Sequence, residues 1–417
     1  MNNRDLVIIA GGKGARISQY LPNKPKLLID FDNENVLVKI IKSLNFKNLY
    51  ISLGHLSTQI IEFAENNNLD LSYYIEEKPL GSFGGLKELV KKYYEKLSDQ
   101  IVIILGDVYV SHLDFTLSQV CDENFLIYGK NDHPHDSDRI IMDEKKRVVR
   151  LIKKSEDYSS SFSNLTVSGI YIFKKNDILS TTLEIGDISS DFIPYLISNK
   201  RLLGLRNRAV IKDIGTIDRL NNMIKFDKVE KQANNFIAQR RAVFIDLDGT
   251  LIVDRGSKPY QKLDKIELRL NAIDILRYCN RRFFPVFVIT NQGDIAKGFK
   301  TFDNFYADII SIEEQLSYSG AWFDDVYFCP HHPDNGFDGE IEELKIKCNC
   351  RKPGIDLALK AAKEWNISLS HSVMIGDSNF DKQFAEAARL MCYFDINSNK
   401  DIKSFYEILE KKLVYEV

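Results

Sequence analysis

The feature that most constrains this chain is an apolar run near its middle that ends in two aspartates and a glycine. Residues 242–245 read Ala-Val-Phe-Ile, and Asp246, Leu247, Asp248 and Gly249 follow. A continuous apolar run of this kind is typical of a strand buried in a parallel sheet. Because open α/β sheets bind ligands at the carboxyl ends of their strands, both aspartates are expected to face a crevice. Neighbouring carboxylates repel each other unless a cation lies between them, and oxygen ligands suit Mg²⁺.

Length and composition predict a protein of two globular domains. The chain has 417 residues, which is longer than most domains that are built around a single hydrophobic core. Its net charge of −3 gives no electrostatic footprint for nucleic acid or an anionic membrane. The sequence shows no signal-peptide pattern and no apolar segment long enough to span a bilayer, so we expect a cytoplasmic protein with small-molecule substrates.

Further polar residues follow apolar runs in the second half of the chain. Thr290 and Asn291 end one run, Asp377 ends another, and Asp381 comes four residues later. Alone, the segment after residue 245 could be an ordinary Asp-Gly turn. Taken in order with Arg351-Lys352, these segments resemble the haloacid dehalogenase-like (HAD-like) phosphatases, whose signature is D-x-D-G-T.

The resemblance implies a role for each matched residue. Asp246 would be the nucleophile and Asp248 the general acid and base. Thr290 and Lys352 would contact the phosphoryl group, while Asn291 and Arg351 would bind the substrate. The implied ligands of Mg²⁺ are Asp246, Asp248 and Asp377, with Asp381 in support.

Two pairs of thiol and imidazole side chains lie in the same half. Cys329 and His331 form one pair, Cys348 and Cys350 form the other, and a loop separates them. This spacing predicts a tetrahedral Zn²⁺ site that is structural, because four protein ligands leave no open position. The alternative is that the cysteines simply pack in the core. The choice of His331 over His332 follows the family pattern, and the zinc loop most resembles the heptose bisphosphate phosphatases, with the histidinol-phosphate phosphatases as neighbours.

A glycine-rich loop follows the first apolar run of the chain. Gly11, Gly12 and Gly14 would let backbone N–H groups approach a phosphate, and Arg16 and Lys26 add positive charge. The pattern G-G-x-G-x-R followed by P-K resembles the sugar-phosphate nucleotidylyltransferases, although Ala replaces the usual Thr and Leu replaces the usual Pro. The resemblance implies that Arg16 and Lys26 are catalytic and that the three glycines bind the nucleotide.

Later segments match the same family in order. The resemblance implies that Gly81 and Ser82 receive the nucleobase, and the alternative is that Ser82 caps the helix that follows. It further implies that Asp107 and Asp213 hold Mg²⁺, and that the sugar phosphate is bound by Lys154 and Gly169. Lys153 replaces a glutamate that often touches sugar hydroxyls, which leaves the acceptor sugar open.

These observations predict an α/β protein of two Rossmann-like, three-layer domains. Residues 1–232 would form a GT-A-like nucleotidyltransferase and residues 240–417 a HAD-like phosphatase with a zinc loop. The phosphatase would remove the 7-phosphate of a heptose 1,7-bisphosphate. The transferase would then join heptose 1-phosphate to a nucleoside triphosphate, with GTP favoured, and release pyrophosphate.

Two alternatives remain at this point. One is a CTP-dependent transferase for another sugar or polyol phosphate, fused to a phosphatase for a different ester. The other is that one half is kept only as a binding or regulatory module. Against the second alternative, both halves retain their proposed metal carboxylates and phosphate-binding lysines.

Overall fold

The chain forms two compact units in a computed structural model. The structure describes residues 4–12, 19–31, 34–118, 120–154, 156, 164–234, 239–254, 266–398 and 402–409. The first unit consists of Met1–Gly129 and Pro134–Lys228, and the second of Lys130–His133 and Val229–Val417. In the described parts of the chain, none of the helices has both the length and the apolar character needed to cross a bilayer.

The first unit is built on a mixed sheet with a parallel centre. Its strands are β1 (Asp5–Ala10), β2 (Asp30–Phe31), β3 (Glu34–Asn35), β4 (Leu49–Leu53), β5 (Leu71–Ile75), β6 (Gln100–Leu105), β7 (Val108–Ser111), β8 (Phe125–Gly129), β9 (Arg139–Met142), β10 (Val148–Ile152), β11 (Thr166–Lys174), β12 (Leu203–Arg206) and β13 (Val210–Asp213). The helices that begin in it are α1 (Val36–Lys42), α2 (Ser57–Asn66), α3 (Gly81–Tyr93), α4 (Leu113–Leu117), α5 (Lys175–Leu179), α6 (Ile193–Ser198) and α7 (Ile217–Asn234).

The main sheet of this unit has the strand order β10-β9-β11-β6-β1-β4-β5, with β8 and β12 joined through β11. Strands β5, β4, β1 and β6 are mutually parallel, and β11 runs antiparallel to β6. Strands β1, β4 and β6 are buried along almost their whole length because both of their faces are covered, whereas the edge strand β5 is only partly buried. Their carboxyl ends therefore bring the loop after β1 and the loop after β6 to the same edge.

A separate two-stranded pair of β7 and β13 stands beside this edge. The strands are antiparallel, and Asp213 pairs with Val108, the residue after Asp107. The backbone N–H of Ile214 also donates to the carbonyl of Asp107 at 2.9 Å. This pairing places the two predicted metal aspartates of the first unit at neighbouring strand ends, with Asp107 directly before β7 and Asp213 at the end of β13.

The second unit is a parallel sheet between two layers of helices. Its strands lie in the order β16-β15-β14-β17-β18, so β14 is central. The strands are β14 (Val243–Ile245), β15 (Val286–Asn291), β16 (Asp325–Cys329), β17 (Val373–Gly376) and β18 (Cys392–Asp395). The helices are α8 (Leu270–Arg281), α9 (Gly293–Ala296), α10 (Phe302–Tyr318), α11 (Asp356–Trp365), α12 (Asn379–Ala387) and α13 (Ile402–Leu409).

Alternate residues of β14 enter two different cores. Val243 and Ile245 pack with residues of α8, α10 and α13, whereas Ala242 and Phe244 pack with residues of α11 and α12. Side chains of a strand point to opposite faces in turn, so a strand that is apolar throughout requires helices on both faces. The three-layer α/β architecture predicted for this half is confirmed.

Candidate active sites

The carboxyl ends of β14 and β17 bring three carboxylates together in the second unit. Asp246 follows β14, Asp377 follows β17, and Asp381 lies in the first turn of α12. One oxygen from each carboxylate lies within 4.8 Å of the others. The parallel register of the two strands, in which Ile245 pairs with Ile375, sets two of these aspartates side by side.

Lys352 supplies the positive charge of this cluster. Its Nζ donates to Asp246 Oδ1 at 2.5 Å and to Asp381 Oδ1 at 2.5 Å. Its backbone N–H donates to Asn291 Oδ1 at 2.8 Å, and the Asn291 amide donates to the Lys352 carbonyl at 3.2 Å. These reciprocal hydrogen bonds fix the backbone of the lysine against the end of β15, so its side chain is directed at the carboxylates.

Burial and neighbouring charges control the protonation of this cluster. Burial raises the pKa of Asp246 to about 7; Lys352 opposes this shift and Asp381 adds to it. Burial likewise raises the pKa of Asp377, with Asp381 adding to the effect. Burial acts against the charge of Lys352, but Asp246 and Asp381 raise its pKa overall. Three carboxylates and one ammonium carry a formal excess of two negative charges, so this oxygen-rich donor set fits a divalent cation.

Asp248 faces a different partner from the other predicted magnesium ligands. Its Oδ2 accepts a hydrogen bond from Gln292 Nε2 at 2.7 Å, and the same amide donates to Thr290 Oγ1 at 3.0 Å. Asp248 is not a member of the three-carboxylate group, whereas Asp381 is. The structure therefore holds the Asp248 side chain beside the side-chain amide of Gln292, and burial raises the pKa of Asp248 as well.

Gly249 permits the close approach of the two loops that carry the aspartates. Its φ is +81°, and a Cβ built on it would lie 2.2 Å from Asp377 Oδ2. A larger residue would therefore be strained in its backbone and would collide with a carboxylate of the cluster. The neighbouring Thr250 hydroxyl donates to Asp377 Oδ1 at 3.2 Å, which orients that carboxylate.

The four sulfur and nitrogen ligands predicted for zinc lie in one group. The distances from Cys350 Sγ to Cys329 Sγ, Cys348 Sγ and His331 Nδ1 are each 3.2 Å. A tetrahedron with metal–sulfur bonds of about 2.3 Å has edges of roughly 3.7 Å, so this group fits Zn²⁺ after a small expansion. His332 lies outside the group, and its Nδ1 accepts from the Asp334 backbone N–H at 3.2 Å.

The zinc-ligand loop leads directly into the phosphate-site residues. Arg351 follows Cys350, and its Nη1 donates to the carbonyl of His331 at 3.2 Å. Lys352 comes next, already fixed by Asn291. An ordered loop at residues 329–350 is therefore part of what positions both basic side chains.

In the first unit, each predicted metal aspartate has a basic partner. Lys26 Nζ donates to Asp107 Oδ2 at 2.8 Å. Arg219 Nη1 donates to Asp213 Oδ2 at 2.5 Å, and the Gly215 backbone N–H donates to Asp213 Oδ1 at 2.5 Å. The pairing of β7 with β13 holds the two strand ends together, so the backbones of Asp107 and Asp213 are neighbours.

The glycine loop contacts a half-buried glutamate that the sequence analysis did not single out. A Cβ on Gly11 would lie 2.1 Å from Glu76 Oε1, and one on Gly85 would lie 2.4 Å from the same oxygen. Glu76 accepts hydrogen bonds from the Ser52 hydroxyl and the Leu80 backbone N–H, both at 3.2 Å. Burial raises its pKa. Gly12 is described and has open space around its Cα, whereas Gly14 and Arg16 lie outside the described residues.

The predicted nucleobase loop is held by the segment before α6. Ser82 lies in the first turn of α3, and its hydroxyl and backbone N–H donate to Asp187 Oδ1 at 3.0 and 3.1 Å. The Ser82 hydroxyl also accepts from the Ile188 N–H at 2.9 Å. Leu80, not Ser82, occupies the N-cap position. Gly81 has φ +77°, and a Cβ on it would lie 2.3 Å from the carbonyl oxygen of Gly186, so only glycine fits there.

The two predicted sugar-phosphate residues flank the same sheet. Gly169 lies in β11 with φ +80°, and a Cβ there would be 2.9 Å from Val108 Cγ2. Because Val108 follows Asp107, Gly169 lies close to the end of β6. Lys154 is exposed, and its backbone N–H donates to Asp138 Oδ1 at 3.1 Å. Asp138 also accepts from the Ser189 hydroxyl at 2.5 Å, which links this corner to the segment that follows Asp187.

Comparison with known proteins gives a separate result for each half. Residues 6–230 match the family described as nucleotidyl transferase, and residues 241–400 match the family described as polynucleotide kinase 3 phosphatase. The second half is 36% identical over 149 residues to a D-glycero-beta-D-manno-heptose-1,7-bisphosphate 7-phosphatase of Yersinia pestis, covering 36% of this chain and 76% of that protein.

Each half also matches other known proteins. The corresponding 7-phosphatase of Escherichia coli strain K12 is 34% identical over 161 residues, which is 39% of this chain and 81% of that protein. Among solved structures, HddC from Yersinia pseudotuberculosis is 21% identical with a TM-score of 0.45, and the match covers 53% of this chain and 98% of that chain.

Proposed function

Because the chain belongs to the nucleotidyl transferase family through residues 6–230 and to the D-glycero-beta-D-manno-heptose-1,7-bisphosphate 7-phosphatase family through its second half, we propose that it performs two successive reactions on one heptose. The second unit removes the 7-phosphate of heptose 1,7-bisphosphate. The first unit joins the resulting heptose 1-phosphate to a nucleoside triphosphate. The observation that carries the proposal is that removing the 7-phosphate leaves a sugar 1-phosphate, the kind of acceptor that a nucleotidyltransferase uses.

In the phosphatase reaction, Asp246 acts as the nucleophile. Its carboxylate attacks the phosphorus, the bond to the sugar oxygen breaks, and Asp248 gives that oxygen a proton. Water then attacks the phosphorylated aspartate, Asp248 takes the proton of the water, and inorganic phosphate leaves. Lys352, 2.5 Å from Asp246, stabilises the charge that the phosphoryl group brings to the site. Thr290 donates to a phosphoryl oxygen, and Arg351 and Asn291 bind the rest of the substrate.

In the transferase reaction, no covalent enzyme intermediate is needed. A phosphate oxygen of the acceptor attacks the α-phosphorus of the nucleotide, and pyrophosphate leaves. Lys26 and Arg16 neutralise the phosphates, and the backbone of Gly11, Gly12 and Gly14 lets them approach closely. The sugar phosphate is bound near Lys154 and Gly169, and the base lies against the Gly81–Ser82 turn.

The donor sets suit two kinds of metal. Asp246 and Asp377 of the second unit, and Asp107 and Asp213 of the first, would hold Mg²⁺, which supplies neutralising charge at the phosphates. The support for Mg²⁺ in the second unit is the excess of negative charge among its three carboxylates, two of which are buried. Cys329, His331, Cys348 and Cys350 would hold a structural Zn²⁺. Because thiolates stay reduced in the cytoplasm and nucleoside triphosphates are made there, we place the protein in that compartment.

GTP is the nucleotide we propose, on the resemblance of the first half to heptose 1-phosphate guanylyltransferases. The second candidate is CTP with a different sugar or polyol phosphate. Lys153 favours that candidate, because it stands where related enzymes have a glutamate that touches sugar hydroxyls. It is exposed beside Lys154, which makes this corner more basic than usual.

A phosphorus NMR time course tests the proposal. The purified chain is incubated with Mg²⁺ and heptose 1,7-bisphosphate, with GTP in one tube and CTP in another. Inorganic phosphate followed by a nucleoside-diphosphate-heptose signal in the GTP tube is the expected result. If the nucleotide-sugar signal appeared only in the CTP tube, CTP and not GTP would be the donor. Phosphate release without any nucleotide sugar would refute heptose 1-phosphate as the acceptor of the transferase. Transfer to a polyol phosphate with no heptose turnover would refute the heptose assignment of both units.

A further inference from the structure

We propose that Gln292 and Lys300 are positioning residues, which hold the Asp248 carboxylate and the Thr290 hydroxyl in their reactive orientations. Neither residue belongs to the set predicted from the sequence. The inference rests on the proposed role of Asp248 as the general acid and base. The proposal concerns a series of polar contacts that runs from helix α10 to the carboxyl ends of strands β14 and β15.

Gln292 is the middle member of this series. It follows the last residue of β15 and is buried. Its Nε2 donates to Asp248 Oδ2 at 2.7 Å and to Thr290 Oγ1 at 3.0 Å. An amide nitrogen carries two hydrogens, so these two contacts use its full donor capacity.

Lys300 fixes the orientation of the Gln292 amide. Its Nζ donates to Gln292 Oε1 at 3.3 Å. An ammonium only donates and a carboxylate only accepts, so the amide oxygen must face Lys300 and the amide nitrogen must face Asp248. A half-turn of the amide would set two donors against each other at one end and two acceptors at the other. The lysine therefore selects the one amide orientation that supports the catalytic carboxylate.

Helix α10 anchors Lys300 in turn. Lys300 Nζ lies 3.0 Å from Asp308 Oδ2, and both side chains are largely buried. The same ammonium lies 5.2 Å from the centre of the Phe305 ring. The next residue, Thr301, is the N-cap of α10 and forms a capping box with Asn304, which fixes the start of the helix. The position of the ammonium is therefore set by a helix rather than by a loose loop.

The orientation of both reactive groups follows from this series of contacts. Because Thr290 Oγ1 accepts from Gln292, its own hydrogen is directed to another acceptor, and a phosphoryl oxygen can take that place. Because Asp248 Oδ2 is held by the amide, Oδ1 is the oxygen that transfers the proton to the leaving group. Without Lys300, the Gln292 amide can turn, and Asp248 loses the contact that orients it.

Comparing esters with good and poor leaving groups distinguishes a misplaced general acid from a general disturbance of the site. A good leaving group such as 4-nitrophenolate departs without a proton, whereas phenolate needs one. For each aryl phosphate, kcat/KM reports the transfer of the phosphoryl group to Asp246. In Lys300→Met with Mg²⁺ present, kcat/KM is expected to fall about tenfold or more for phenyl phosphate and only about twofold for 4-nitrophenyl phosphate. Lys300→Arg should restore most of the loss, because guanidinium also only donates.

Two further variants complete the test. Gln292→Glu keeps the shape of the side chain but turns an acceptor toward Asp248, and it should show the same selective loss even if Lys300→Met folds poorly. Lys360→Met is the matched control, because Lys360 Nζ also lies over an aromatic ring, 5.8 Å from the centre of Tyr327, on a different helix. Its rates should be those of the unmodified chain.

The outcomes distinguish this inference from the proposed function. Equal losses on both aryl phosphates, or no loss on either, in Lys300→Met and Gln292→Glu would overturn the positioning role while leaving the phosphatase activity in place. For heptose 1,7-bisphosphate, the same variants should lower kcat and leave KM within about twofold, since they do not touch the sugar. A raised KM with unchanged kcat would also overturn the inference. Failure of the unmodified chain to release phosphate from any of the three esters would instead refute the phosphatase proposal.

Discussion

We expect phosphate release to depend most on Asp246. In Asp246→Asn the amide cannot attack phosphorus, so phosphate release from heptose 1,7-bisphosphate should fall by roughly a thousandfold or more. Pyrophosphate release, measured with heptose 1-phosphate and GTP, should stay unchanged, since the Asp246 cluster belongs to the second unit. Phosphate release at the normal rate would show that another residue is the nucleophile.

Asp107 gives the converse prediction. It lies at the end of β6 and pairs with Lys26 at 2.8 Å. Asp107→Ala removes a proposed ligand of Mg²⁺ and leaves that ammonium without its carboxylate, so pyrophosphate release should fall by about a hundredfold or more. Phosphate release should be retained. A coupled assay of both products in one sample checks the two variants against each other, and loss of both activities in either one would contradict the assignment.

At the scale of single residues, the sequence predicted the strand-end carboxylates and Lys352, but it did not predict the contact that orients Asp248. Asp246 and Asp377 could be predicted because an apolar run that ends in aspartate places the side chain at the sheet edge. Asp381 was also expected in support of this site, and it lies in the cluster. The contact of Gln292 with Asp248 was not expected, because it depends on the register of β14 and β15. That register is set by packing between distant segments, and no local pattern encodes it.

At the scale of elements, we expect the phosphatase to require an intact loop at residues 329–350, which carries the proposed zinc ligands. Cys350→Ser should lower the bound zinc and loosen residues 329–350, so that Arg351 and Lys352 lose their fixed positions. We expect phosphatase kcat/KM to fall by about ten- to a hundredfold, with pyrophosphate release unchanged. Metal content by mass spectrometry and the two activities are the measurements. Cys121→Ser, at an exposed thiol of the first unit, is the control. Loss of zinc with full phosphatase activity would refute the role of the loop.

The ion pairs between Glu184 and helix α3 predict a pH-dependent contribution to stability. Hydrogen bonds from Lys87 and Lys91 lower the pKa of Glu184 to about 2. A carboxylate with a depressed folded pKa adds stability above its unfolded pKa, which is about 4.3, and loses it as the pH falls toward 2. The melting temperature of the unmodified chain should therefore exceed that of Glu184→Gln at pH 7, and the difference should shrink below about pH 4.5.

Salt provides a second test of the same ion pair. Glu184 is exposed, so about 1 M NaCl should screen its attraction to the lysines and reduce the difference in melting temperature at pH 7. Circular dichroism melts across pH and salt are the measurement. A difference that persists unchanged from pH 7 to pH 3.5 would show that Glu184 acts through packing and not through charge.

Elements with strong apolar runs were predictable, and short paired strands were not. The expected strands before Gly11, Asp107, Asp246, Thr290 and Asp377 all form, because each is a run of buried residues. The pairing of β7 with β13 has no such signature, since each strand has four residues and β13 is only partly buried. Yet this pair brings the backbone of Asp213 next to that of Asp107. Asp213 was therefore predicted from family resemblance and not from a local sequence pattern.

The two units are expected to fold independently. Their sheets are separate, and each has its own hydrophobic core. We propose the boundaries 1–232 and 240–417, and each half expressed alone should melt cooperatively and retain its own reaction within about threefold. Calorimetry and the two product assays measure this. If one half unfolds or loses its activity without the other, the boundary or the independence of the units is wrong.

The presence of both units on a single polypeptide fixes their stoichiometry. Every synthesised chain delivers one phosphatase site and one transferase site, so neither can be made in excess of the other. The steady-state amount of the sugar 1-phosphate that passes between them then depends on the ratio of two turnover rates and not on gene expression. A single substitution in either unit, such as one at Lys300, would therefore reset the size of that metabolite pool directly.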